Sequence, residues 1–296
     1  MELNNIFNGI IVINKPKGYT SHDVVAKVKK ILNLKKVGHT GTLDPNATGV
    51  LPLLLNDGTK LSKYLIEHDK EYEVTLKLGI KTDTADAEGR IIEQKEVKDL
   101  ENLEEILKTF IGKQKQIPPI YSAIKVKGKK LYEYARAGQE VKIEPREIEI
   151  YNIELLEINK LENELKFKVA CSKGTYIRSL CEDIAKKIGT VGYMKELNRA
   201  KVGKFRIEEA TTIEALEEQK NNIIFLQKHI ITLEQLFKSY DRIEMNVKQL
   251  EKFLNGVKIP VEKKDGLYNI YNKDNYIGLA IVKENLAKRD LIIWDM

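Results

Sequence analysis

Asp44 is the lone acid between Gly38 and Leu55, in the run Gly-His-Thr-Gly-Thr-Leu-Asp-Pro-Asn-Ala-Thr-Gly-Val-Leu-Pro-Leu-Leu-Leu. A carboxylate in a loop constrained by Gly and Pro, beside a basic segment, can act as a nucleophile or a general base. It can equally be structural, because an Asp before Pro commonly bonds the backbone two residues on. Several other chemistries lack their patterns. No GxxxxGK[ST] phosphate loop occurs in the chain. In Asp83-Thr-Ala-Asp-Ala-Glu-Gly89 the acids miss the alternating ligand positions of a calcium loop, and no Glu closes it. Cys171 and Cys181 form no CxxC pair and have no His cluster beside them, so buried thiols are expected and a metal is not. Two-acid glycoside hydrolysis would need a second carboxylate poised near Asp44, and nothing in the sequence pairs one with it.

The elements that must position Asp44 follow from periodicity. Gly9 to Asn14 is a short apolar run suited to a buried strand, ended by the turn Lys15-Pro-Lys-Gly18. Thr20-Ser21 caps a helix expected to run to about Leu34. Val37 to Gly49 reads as loop, Val50 to Leu55 as strand, and Asp57 to Ile66 as an amphipathic helix. Tyr72 to Gly79 alternates like a strand with one wet face. Leu103 to Ile111 is a helix candidate. Glu147 to Ile158 and Glu164 to Cys171 look like paired strands, Thr175 to Ile188 like a helix, and Val191 to Ile207 like strand and turn. After a short helix over Thr212 to Leu216, a tail with strands at Leu267–Tyr271, Tyr276–Val282 and Leu291–Trp294 suggests a small β-rich appendage. Between Lys113 and Arg146 periodicity fails while basic and aromatic residues interleave. A long ordered loop or extended hairpin is expected there, and loops of that length tend to be functional.

The 296 residues carry a net charge of +6, unevenly distributed. Lys15 to His39, Lys113 to Arg146 and Lys186 to Arg206 each net +6, which leaves the remainder at −12. Three basic segments on an otherwise acidic chain point toward a polyanion such as nucleic acid. The start, MELNNIF, has no signal-peptide pattern, and the longest apolar runs are far short of the ~20 residues of a membrane helix. A cytoplasmic protein without a membrane partner is expected.

The Asp44 stretch resembles the signature of the TruB family of tRNA pseudouridine synthases. Other segments match the family in order. Asn14-Lys-Pro-Lys-Gly-Tyr-Thr-Ser21 is similar to its N-terminal Lys-Pro-x-Gly-x-x-Ser element. Lys70-Glu-Tyr-Glu-Val74 resembles its Tyr-bearing strand, and Gly79-Ile-Lys-Thr-Asp-Thr-Ala-Asp86 the turn after it. Gln116-Ile-Pro-Pro-Ile-Tyr-Ser-Ala-Ile-Lys125 resembles its RNA-gripping insertion, and Gly174-Thr-Tyr-Ile-Arg-Ser-Leu180 its Arg motif. The resemblance spans about Gly9 to Phe205.

That resemblance implies an α+β pseudouridine synthase fold: a mixed, largely antiparallel sheet flanked by helices. It implies a catalytic domain over 1–238 with an RNA-binding insertion at 113–146, and a small β-rich PUA-like domain over 239–296. The implied activity is isomerisation of uridine 55 in the T-arm loop of tRNA, without cofactor or metal, by a monomer that needs no obligate protein partner. Asp44 would be the nucleophile and Arg178 its partner. Tyr72 would stack on the flipped base and handle the departing proton. His39, Tyr176 and Leu197 would join Tyr72 in binding the substrate. Lys15, Lys17, Lys125, Lys127, Lys129, Lys130 and Arg136 would serve the basic RNA surface. The alternative from another class is an RNA-binding or RNA-folding protein, which would have no need of Asp44, Tyr72 and Arg178 together.

Overall fold

The computed structural model describes residues 7–65, 68–98 and 100–293. The expected strand end at Trp294 and helix end at Ile66 therefore lie outside the described residues. The run Gly9–Lys15 is a strand buried on both faces. Ile11 and Ile13 pack with Val24 and Val28 of the Ser21–Ile31 helix, while Ile10 and Val12 pack with Val50, Leu54 and Phe205. Two-sided burial explains why the sequence there is apolar without alternation.

Ten strands form the main sheet. Its path runs Ile230–Thr232, Gly9–Lys15, Thr48–Leu55, Gly192–Val202, Lys70–Leu78, Glu164–Cys171, Arg146–Asn159, Gly112–Gln116. Neighbours along it are antiparallel, except that Asn198 and Arg199 pair in parallel with Thr48 and Gly49. Gly49 makes that approach possible: its φ is +105°, and a Cβ there would lie 2.3 Å from the Arg199 carbonyl. The strand Lys70–Leu78 buries Tyr72, Val74, Leu76 and Leu78 on the face covered by the Ile177–Ile188 helix. Its other face is wet, and Glu71 there pairs with Lys201 at 2.8 Å.

Some boundaries differ from the expected ones, for local reasons. The first helix ends at Ile31, and Asn33 turns left-handed at φ 48°. Asn56–Leu61 is a 3₁₀ turn before a single α-turn at Ser62–Leu65. There Gly58 lies so close to the first strand that a Cβ would sit 2.2 Å from the Gly9 carbonyl. The basic insertion is not all loop. Gly112–Gln116 joins the main sheet against Arg146–Ile150, Lys125–Val126 and Lys129–Lys130 form a hairpin, and Leu131–Arg136 is helical.

A second sheet of five strands follows Asp241, covered by the Val247–Leu254 helix. Its Leu279 and Leu291 pack into the same cluster as Ile10, Val12 and Leu233. Lys60 adds a 2.8 Å hydrogen bond to the Ile292 carbonyl.

Lys15 corrects the expectation of a surface contact with RNA. It is fully buried, and its ammonium donates to the carbonyls of Pro16 at 3.0 Å, Tyr19 at 2.6 Å and Pro45 at 2.9 Å. Burial draws its pKa down to about 8. Those carbonyls belong to two separate turns, so the ammonium is spent on joining them. Lys15→Met should leave the carbonyls without their donor, at about 1–3 kcal/mol each before relaxation. Urea unfolding should show a loss of roughly 2–4 kcal/mol with little change in m.

Candidate active site

Asp44 lies at a turn closed by main-chain groups: the Ala47 amide donates to the Asp44 carbonyl at 3.1 Å. Its carboxylate reaches Arg178, with Oδ2 3.2 Å from Nε. The two side chains differ sharply in exposure, 39% for Asp44 and 9% for Arg178. A buried cation thus holds an anion that still faces solvent, which a purely structural turn would not require.

Four separate anchors fix the loop around Asp44. Ser21 on the first helix accepts from the Leu43 amide at 2.9 Å and donates to its carbonyl at 3.3 Å. Gly18 donates to the Pro45 carbonyl at 2.9 Å, beside the bond from Lys15. Thr48 donates to the Asn198 side chain at 3.1 Å. Arg199, 1% exposed, donates to the carbonyls of Val50 at 2.8 Å, Gly41 at 3.2 Å and Thr42 at 3.4 Å.

Arg178 is fixed as tightly, from the first turn of the Ile177–Ile188 helix. Its Nη2 donates to the Tyr121 carbonyl at 2.9 Å and its Nη1 to the Thr84 carbonyl at 3.4 Å. Nη1 also lies 3.6 Å from Asp86 Oδ2. Asp86 is in turn oriented by the Thr84 hydroxyl at 2.6 Å and the Glu88 amide at 3.0 Å, both donating to its Oδ1. The guanidinium therefore bridges two carboxylates, Asp44 and Asp86, which line the same cleft. The neighbouring helix residues are fastened to the base of the insertion. Gln116 exchanges hydrogen bonds with the Tyr176 backbone at 2.8 and 3.0 Å, and Ser179 donates to the Ile117 carbonyl at 2.9 Å.

A small cleft beside Asp44 is lined by Asn46, Ala47, Asp86, Ala87, Met194 and Leu197. Leu197 is buried on the strand Gly192–Val202, opposite Val74. Tyr72 is 7% exposed and packs in one apolar cluster with Leu43, Ala47 and Leu197. Burial pushes its hydroxyl up to about 12, against the pull of the nearby Arg199 guanidinium. Tyr176 caps the helix that carries Arg178. His39 ends the short strand Val37–His39 and stacks edge-on against His22, with ring centroids 5.3 Å apart. Burial lowers its pKa, and His22 and Arg199 add to that shift.

Asp44 and Arg178 thus meet beside Leu197 and the buried Tyr72 of the sheet's central strands, with Tyr176 adjoining through the helix start. Lys17 is exposed near the same loop. Lys125, Lys127, Lys129 and Arg136 are exposed on the insertion and Lys130 is half-buried. Lys130 and Arg136 both approach the Tyr132 ring, at 5.3 and 5.5 Å from its centroid. Two residues carry more of the geometry than their sequence context suggested. Asp86 lies in the turn after the Tyr-bearing strand and Arg199 in a basic strand-and-turn segment, and neither is among the expected site residues. Both cysteines are free and buried, and among the described residues no cluster could hold a metal. No described helix is long and apolar enough to cross a membrane.

Comparison with known proteins agrees with this geometry. The family described as TruB family pseudouridylate synthase (N terminal domain) matches residues 29–177. The tRNA pseudouridylate synthase B C-terminal domain matches residues 178–262. The tRNA pseudouridine synthase B of Clostridium tetani is 44% identical, over 92% of this chain and 95% of its own. That of Aquifex aeolicus is 40% identical, over 93% and 96%. Among solved structures, a chain of a Cbf5-Nop10-Gar1 complex superposes with a TM-score of 0.69 at 27% identity, covering 97% of this chain and 84% of that one. A chain of an H/ACA RNP bound to a substrate RNA containing 2′-deoxyuridine gives 0.70 at 25% identity, covering 99% and 87%. Family match, fold and a carboxylate held by a buried arginine lead to one conclusion: the chain belongs to the TruB family of pseudouridylate synthases.

Proposed function

We propose that the protein converts uridine 55 in the T-arm loop of tRNA to pseudouridine, with Asp44 as nucleophile. The observation that carries this reading is the Arg178–Asp44 pair, a solvent-facing carboxylate aimed by an arginine that has no freedom to move elsewhere. Arg suits this task because its planar fork of donors can hold a carboxylate while other N–H groups bond carbonyls. The target uridine must leave its stack for its C1′ and C5 to be reached. Asp44 then attacks the flipped nucleotide, the glycosidic bond breaks, the uracil turns while held, and C5 rejoins C1′.

Leu197 lines the cleft where the uracil would sit, Tyr72 packs in the same buried cluster as Leu197, and Tyr72 handles the proton that leaves C5. Tyr176 and His39 contact the RNA around the flipped nucleotide. Unstacking costs a few kcal/mol, and stacking on an aromatic ring returns ~1–3 kcal/mol. Net affinity therefore rests on phosphate contacts, which the exposed lysines of the insertion and Lys17 supply. The relatives named as tRNA pseudouridine synthase B support tRNA as the substrate. Residues 1–238 act as the catalytic domain with its insertion at 113–146, and 239–296 as a PUA-like domain packed against it. The enzyme acts as a monomer.

Tritium release from tRNA labelled at uridine C5 tests the chemistry. Wild type should release tritium from a T-arm stem-loop, and Asp44→Asn should lower the rate at least ~10³-fold while RNA affinity stays within a few-fold. Release by Asp44→Asn at the wild-type rate would remove the nucleophile assignment. RNA binding without any release by wild type would favour an RNA-folding role instead. A second measurement addresses the insertion. Replacing Lys127 and Lys129 with Ala should weaken stem-loop binding and reduce the slope of log K against log salt by about one to two. An unchanged slope would place the phosphates elsewhere on the surface.

A further inference from the structure

Arg199 is among the largest fully buried side chains in the protein, at 1% exposure. Among the described residues no carboxylate lies within ion-pair distance of it. Three of its five N–H donors are accounted for by the carbonyls of Gly41, Thr42 and Val50. Burying an ion costs several kcal/mol unless something compensates its charge. Carbonyl bonds, which also hold the buried Lys15 ammonium, offset part of that cost but leave two N–H donors of Arg199 for another partner.

The strands supply one. Arg199 and Tyr72 sit directly opposite each other on neighbouring antiparallel strands, just before the bulge at Arg199–Lys201. Both side chains are buried on the same side of the sheet, and the guanidinium lies beside the phenol oxygen. Of the groups around Arg199, Tyr72 is the one that can become an anion within the reaction.

We propose that Arg199 is a positioning residue acting through Tyr72: it fixes the phenol's direction and is the counter-ion of the phenolate formed during proton transfer. This rests on the reading above that Tyr72 handles the substrate's proton. The step balances without a further reagent. Tyr72 gives its O–H proton to the uracil nitrogen freed from the sugar, so one O–H bond breaks and one N–H bond forms. The phenolate then takes the hydrogen from C5, so a C–H bond breaks and the O–H bond is restored. Between the two transfers the negative charge rests on Tyr72, opposite Arg199. The same guanidinium ties down Gly41 and Thr42, so the nucleophile's loop and the proton carrier share one anchor.

The test uses the full chain, with Arg199→Lys, Arg199→Gln, Tyr72→Phe and the Arg199→Gln/Tyr72→Phe double variant. Each is measured for single-turnover tritium release from a T-arm stem-loop, followed for hours where slow, and for stem-loop affinity and Tm. Arg199→Gln should slow release about 10²-fold with affinity within a few-fold. Arg199→Lys, which keeps the charge while making fewer carbonyl bonds, should recover at least tenfold of that loss. In the Tyr72→Phe background, Arg199→Gln should cost less than tenfold, the share that belongs to fastening the loop.

Equal slowing of the Lys and Gln variants in step with lost Tm would overturn the proposal, as would losses that multiply in the double variant. Arg199 would then only fasten the loop. Should Arg199→Gln fail to fold, Arg199→Lys decides: release within tenfold of wild type supports the proposal, and release as slow as Tyr72→Phe overturns it. A wild-type rate in Tyr72→Phe would remove the proton role of Tyr72 itself, and this inference with it. A slow Tyr72→Phe with multiplying losses would remove the role of Arg199 alone.

Discussion

A guanidinium that cannot move holds a carboxylate that must remain accessible. Arg178 is buried, bonded to carbonyls from two other segments, and backed by Asp86. Asp44, 3.2 Å away, keeps more than a third of its side chain exposed. In an exposed ion pair both long side chains must be ordered and solvent screens the attraction, so such pairs contribute little. Here the ordering has already been supplied by the fold. The value of the pair lies in direction, and much of the surrounding structure serves to keep that direction.

Two kinds of support achieve this. The Asp44 loop is fastened to four neighbours by short polar contacts: the Lys15–Gly18 turn, the first helix, and Asn198 and Arg199 of the central strand. The Arg178 helix is fastened at its first turn to the base of the basic insertion through Gln116, Ile117 and Tyr121. The basic insertion and the helix that holds the Asp44 carboxylate therefore share hydrogen bonds. Effective catalysis by a positioned group depends on sub-ångström placement; the supports of the Asp44 loop come mostly from strands and a helix, and those of Arg178 from the turns at Thr84 and Tyr121.

Much of this was legible in the sequence where a period carried it. Alternation gave the strand that bears Tyr72, and a continuous apolar run gave the doubly covered strand Gly9–Lys15. Boundaries slipped where a single residue departs from the repeat, as at Asn33 and at the close approach of Gly58 to Gly9. The buried cations were the harder failure. Lys15 and Arg199 sit in segments dense with lysine, and charge density says nothing about which head group turns inward to bond carbonyls. For Arg199 the period itself misleads. A bulge at Met194–Glu196 shifts the register, so Met194, Leu197 and Arg199 are all buried although they do not share a two-residue repeat. Asp86 was hidden differently: its partner Arg178 is 92 residues away in the chain, and only the tertiary fold makes the guanidinium common to both acids.

The most direct test is a crystal structure of the protein bound to a T-arm stem-loop whose target uridine carries a substituent that stalls the reaction. The account predicts that base extruded into the cleft beside Leu197, with the Asp44 carboxylate bonded to the nucleotide or within about 3.5 Å of it. Arg178 should still hold Asp44 and Asp86, and Tyr72 should lie against the ring. A target base left in its stack, or Arg178 swung away from Asp44 onto an RNA phosphate, would contradict it.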